Sequence, residues 1–151
     1  MSESTEVNPA TDLTGRERIA AGILRLIGCG GLLALPAIVL PLETLTLIHA
    51  WLGLGTIPSD PVVEYLARTT SLFYVVAGVI TLAISADLDR YRPLARLWAW
   101  CAIGKGAAVL LIDLDVGLPL WWTVIEGPSS ILIGFLLLAL LSRKAPAKGQ
   151  N

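Results

Sequence analysis

Residues 118–141 read LPLWWTVIEGPSSILIGFLLLALL. Crossing the hydrocarbon core of a bilayer takes roughly 20 apolar residues in a helix, and this run is long enough. A barrel strand would alternate apolar and polar positions, which these residues do not do. Lipid offers no hydrogen bonds to an exposed backbone, so an uninterrupted apolar run of this length reads as a membrane helix. Yet Glu126, Gly127 and Pro128 sit well inside it, followed by Ser129 and Ser130.

Three further runs have the same character, at about residues 19–40, 69–86 and 94–112. The 151 residues are 55% hydrophobic and 15% charged, with a mean hydropathy of +0.73. That leaves too little polar surface to cover a water-soluble core. The predicted architecture is all-α: a four-transmembrane-helix bundle over residues 14–144, with disordered cytoplasmic tails at 1–13 and 145–151. The first run is too long for a signal peptide, and Ser, Glu and Thr dominate the residues before it. The net charge of −1 gives no sign of a nucleic-acid partner.

Charge placement predicts the orientation. Arg16, Arg18 and Arg25 fall before or early in the first span, Arg90, Arg92 and Arg96 between the second and third, and Arg143, Lys144 and Lys148 after the fourth. Only Arg68 and Lys105 lie elsewhere, while the opposite loops hold Glu43, Asp60, Glu64, Asp113 and Asp115. The positive-inside rule then places both termini in the cytoplasm of a bacterium, with the protein multi-pass in the inner membrane. Thr14 to Glu17 has capping-box spacing, Asp60-Pro61 suits a helix start, and Pro119 can open the fourth span. Trp98 and Trp100, and Trp121 and Trp122, fit two interfacial belts. Between the first two spans, Leu42, Leu45, Ile48 and Leu52 recur at helical spacing, predicting a short interfacial helix with Trp51 as anchor.

The intramembrane charges are the chemistry-bearing residues. With a turn near Val116, Lys105 and Glu126 fall at matched depth on adjacent helices, roughly 12 Å below the surface by helical rise. A lone charge there costs about 2.5–3.5 kcal/mol on insertion scales, so a Lys105–Glu126 pair is the economical arrangement. Gly104 and Gly106 would let the neighbouring helix approach. Pro128 removes the hydrogen bond to the Val124 carbonyl, so a kink is expected there, with Glu126, Ser129 and Ser130 sharing one polar spot. Two readings stand: an ion pair that fixes helix register, or a site for a ligand, proton or ion. Glu64 and Arg68 have the favourable i,i+4 order for a local pair; alternatively Arg68 turns inward towards Glu126. Asp113 and Asp115 read as a solvated loop, and His49 as the polar side of the interfacial helix.

No catalytic set emerges. Cys29 and Cys101 stand far apart with no CxxC, which excludes four-helix disulfide oxidoreductases and leaves both as small packing residues. A single histidine with scattered acids gives no metal site, and no cofactor motif is present. The run IGCGG, residues 27–31, with Gly22 upstream, reads as a close-packing helix face.

EYLAR at residues 64–68, IDLDVGLP at 112–119, the four spans and the polar residues of the fourth resemble small bacterial membrane proteins of the DoxX/BphX-like type. The likeness covers about residues 16–143 through hydropathy and layout. It implies an inner-membrane protein of a type whose own activity is unassigned, sometimes linked with redox or catabolic systems. The EGP step and the tryptophan pair fall outside it, and no functional residue carries over. The expected function is an accessory or scaffold protein with a buried Lys–Glu spot, its partners the bilayer and a second copy or another membrane protein. The alternative is an oligomeric binder or carrier of a small ligand, lipid or quinone that uses the kinked fourth helix.

Overall fold

The protein is described over residues 13–142 by a computed structural model, and the expected tails lie outside that range except for Leu13. Helix α1 spans Gly15–Leu32 and starts with the predicted capping box: Thr14 Oγ1 accepts from the Glu17 amide, and the Glu17 carboxylate accepts from the Thr14 amide at 2.8 Å. The first span is not one continuous helix. Pro36 has no N–H, so the Leu32 carbonyl loses its partner and the ring crowds it. The Leu33 and Ala34 amides instead donate three residues back, to Gly30 and Gly31, and a short α2 follows at Leu35–Val39. Helix α3, Leu42–Trp51, then precedes α4, Pro61–Ala86, which Asp60 caps by accepting from the Val62 amide at 2.8 Å. α4 begins earlier than the apolar run itself, because its first turns carry polar residues on a helix that the proline and cap have already started.

Helix α5, Arg92–Val116, extends beyond the expected apolar run and ends at Gly117, whose φ of 75° is the left-handed cap that favours glycine. Asp113 therefore belongs to the last turn of α5 and not to a solvated loop. It is buried, and its Oδ2 has no hydrogen-bond partner among the described residues. Helix α6, Leu120–Leu141, opens after Pro119 and continues through Pro128 as one helix. Four stretches, Gly15–Val39 and the whole of α4, α5 and α6, are long and apolar enough to cross a membrane. Large apolar side chains such as Leu26, Phe73, Leu97, Leu132 and Phe135 are exposed on them, as lipid-facing residues of a multi-pass membrane protein are.

The helices pair as two antiparallel hairpins, each closed by glycine. In the first, Gly28 and Gly31 of α1 meet Gly78 of α4 so closely that a Cβ on Gly78 would stand 2.7 Å from the Gly28 carbonyl oxygen. In the second, Gly106 of α5 meets Gly127 of α6, and Gly134 meets the Ala99 carbonyl. Between lipid-solvated helices there is little hydrophobic drive, so close backbone contact of this kind holds them together.

The two hairpins join at one end only. There α1 begins, α4 ends, α5 begins and α6 ends, and Ala20, Leu24, Ile84, Leu88, Ala99 and Leu137 form one core. Arg92 binds Glu17 of α1 and also Asp89 at 2.8 Å, and Arg16 donates to the Ala139 carbonyl of α6. Away from that end a cavity lies between the hairpins.

Candidate functional site: the cleft between the hairpins

The cavity between the hairpins measures about 720 Å³, within the roughly 300–1,000 Å³ usual for small-molecule sites. Its walls come from α1, α4, α5 and α6, so every span contributes. Tyr74, Ala77, Gly78 and Thr81 line it from α4; Trp98, Cys101, Ala102 and Lys105 line it from α5; and Trp121, Trp122, Glu126, Ser129 and Ser130 line it from α6. Several of these are exposed at its mouth, Tyr74, Ala77 and Lys105 among them.

The α5–α6 contact explains why Lys105 and Glu126 share this space. Gly106 and Gly127 face each other in the seam, and each charged residue immediately precedes one of them. In antiparallel helices, one step back from the seam rotates both side chains to the same face of the pair. Lys105 stands twelve residues before Gly117 and Glu126 nine after it, so their depths differ by roughly 4.5 Å. The expected ion pair is nevertheless absent. Among the described residues the ion pairs are Arg68–Glu64, Arg92–Glu17 and Arg92–Asp89, and Lys105 and Glu126 stand more than 4.0 Å apart. Seam packing fixes the two backbones, and both side chains leave the seam on its cavity side.

The hydroxyls are already committed. Ser130 Oγ donates to the Ala102 carbonyl at 3.1 Å, Ser129 Oγ to the Glu126 carbonyl at 3.4 Å, and Thr81 Oγ1 to the Ala77 carbonyl at 2.7 Å. Each keeps its oxygen as an acceptor only. Lys105 Nζ and Tyr74 Oη make no hydrogen bond among the described residues, so the cavity holds two free donors and a carboxylate without an ion pair.

Arg68 and Glu64 belong to a different place. Arg68 Nη2 meets Glu64 Oε1 at 2.7 Å, the local i,i+4 pair. Arg68 also donates to the carbonyls of Ile38 at 2.8 Å and Leu40 at 3.4 Å, which satisfies the exposed end of the short α2. It does not line the cavity, and the inward orientation towards Glu126 is not adopted. His49 Nδ1 lies 3.0 Å from the Leu45 carbonyl, beside a smaller space between α3 and α4. Both cysteines are exposed and not packed, with Cys101 on the cavity wall. Among the described residues no group of three His, Cys, Asp or Glu could hold a metal ion.

Sequence reasoning missed Tyr74 and Thr81. Their signal was present: Tyr74, Gly78 and Thr81 recur at helical spacing on one face of the second span. Trp98, Trp121 and Trp122 fit an interfacial belt by position, yet all three line the cavity, and the last two meet edge to face at 5.5 Å. No protein-family model matches the chain, and neither a curated protein nor a solved structure does.

Proposed function

We propose that the protein binds an amphipathic, lipid-like molecule in the cleft between its hairpins. The observation that carries this reading is an apolar, aromatic-lined cavity of about 720 Å³ holding an unpaired lysine and an unpaired glutamate at membrane depth. Isolated charges in hydrocarbon are costly and mark ligand or ion pathways. A ligand with a polar head and an apolar body satisfies both kinds of wall. A structural ion pair would have favoured the accessory or scaffold reading; the unpaired charges in the cavity favour the binder or carrier of a small ligand, lipid or quinone.

The basic residues favour a cytoplasmic location for the closed end. Arg16, Arg18, Arg90, Arg92 and Arg96 gather there, and Glu43, Asp60, Glu64 and Asp115 lie towards the other. The cleft then opens towards the outer leaflet of a bacterial inner membrane. α3 would lie at that interface, supported by the exposure of Leu47, Ile48 and Trp51.

The test is to purify the protein in mild detergent and measure bound amphiphile by native mass spectrometry. Ala77→Trp fills the cleft from an exposed wall position, and Val79→Trp places the same bulk on an exposed helix face outside the cleft. The first should weaken binding about tenfold or more, roughly 1.4 kcal/mol, and the second should leave it unchanged. Equal binding by both variants would sink the reading.

A further inference from the structure

We infer that the cleft recognises a zwitterionic phospholipid headgroup bearing a primary ammonium, with its phosphate on Lys105 and its ammonium on Glu126. This rests on the lipid-binding reading above and adds the class of headgroup. The two side chains contribute opposite charges to one cavity and are not paired with each other. An anionic lipid would neutralise Lys105 and leave Glu126 facing added negative charge. A cationic amphiphile would do the reverse. A headgroup carrying both charges neutralises both.

The phosphate and ammonium of an ethanolamine headgroup are joined by a two-carbon bridge, so one headgroup can reach two charges that lie beyond ion-pair contact, as those of Lys105 and Glu126 do. Hydrogen-bonding capacity points the same way. Ser129 and Ser130, within about one helical turn of Glu126, have given their protons to backbone carbonyls and offer acceptors only. An ammonium with N–H bonds can donate to Glu126 and to these oxygens, whereas a trimethylated one cannot. Lys105 Nζ, which makes no hydrogen bond among the described residues, remains for the phosphate oxygens. Below them, Trp98, Ile27 and Ile133 continue the cavity as an apolar slot suited to an acyl chain.

The experiment titrates the delipidated full-length protein in detergent with dilauroyl phosphatidylethanolamine, phosphatidylcholine and phosphatidylglycerol, read by native mass spectrometry. Ethanolamine lipid should bind about tenfold tighter than either of the others. Lys105→Met and Glu126→Gln should each abolish that preference, and Glu126→Gln should bring phosphatidylglycerol level with the ethanolamine lipid. The exchange Lys105→Glu with Glu126→Lys keeps both charges in the cleft and should retain the preference, which guards against variants that merely misfold. Equal wild-type affinity for all three lipids, weakened throughout by Ala77→Trp, would overturn the headgroup assignment and leave the cleft as a lipid site. Choline lipid binding as tightly as ethanolamine lipid would overturn the primary-ammonium requirement. Binding indifferent to Ala77→Trp would overturn the cleft reading itself.

Discussion

The two ends of the molecule are built from the same four helices and behave oppositely. At the closed end, Ala20, Leu24, Ile84, Ala99 and Leu137 are buried in one core, and Arg92 ties α1 to the α4–α5 connection. At the open end each hairpin is still sealed within itself by glycine contacts, and a cavity lies between the two. Membrane helices gain little from burying apolar surface, since lipid solvates it equally well. Contact forms only where small residues or polar groups create it. α1 with α4 and α5 with α6 have facing glycines, whereas the opposed cleft walls carry Tyr74, Trp98, Trp121 and Trp122, which hold backbones apart.

The sharpest way to break this contrast is to add one carbon within a hairpin. A Cβ on Gly78 would meet backbone at 2.7 Å on one neighbour and 3.3 Å on another, so Gly78→Ala forces the hairpin open. Overpacking of this kind costs about 1–3 kcal/mol, and backbone neighbours cannot rotate away, so the upper end is expected. Gly22→Ala meets nothing within 4 Å and should stabilise α1 by about 0.5–1 kcal/mol. Thermal unfolding in detergent measures both, and similar melting points for the two variants would contradict the glycine seal.

Next in size is the polar tie at the closed end. Arg92 and Glu17 have side chains only 13% and 15% exposed, between the surface and buried limits for ion pairs. Arg92→Met should cost about 1–3 kcal/mol, above the surface-pair range and below that of a fully buried pair. It should also loosen α1 from α5, giving faster amide exchange in α1 than in α4. Unchanged exchange there would mean that the apolar core alone joins the hairpins.

The sequence made some of this legible. Long apolar runs gave four spans because lipid leaves the backbone only its own hydrogen bonds, and the Thr14 and Asp60 caps are local signals that local geometry honours. The break at Pro36 was equally local but masked by apolar residues on both sides, since hydropathy does not register a missing N–H. That Lys105 and Glu126 fall within about one helical turn of each other in depth followed from the position of the turn between α5 and α6. Their failure to pair did not, because it depends on which side of a glycine seam each side chain leaves. Asp113 shows the same limit: composition marked it as loop-like, whereas it sits buried in the last turn of α5.

The smallest predicted effect is the one that bears most directly on function. In a double-mutant cycle of Lys105→Met and Glu126→Gln on delipidated protein, a formed ion pair in a low-dielectric cavity would give a coupling well above 0.5 kcal/mol, because each single change strands the other charge. Separated charges facing open space should couple by less than about 0.5 kcal/mol, near the limit of additivity. Each single change should then be neutral or slightly stabilising, since it removes a charge that had no partner. Repeating the cycle with saturating phosphatidylethanolamine should raise the coupling, because one bound headgroup links both side chains and either change weakens its hold on the other. A large coupling without lipid, unchanged by its addition, would restore the structural pair and make the cleft a consequence of packing.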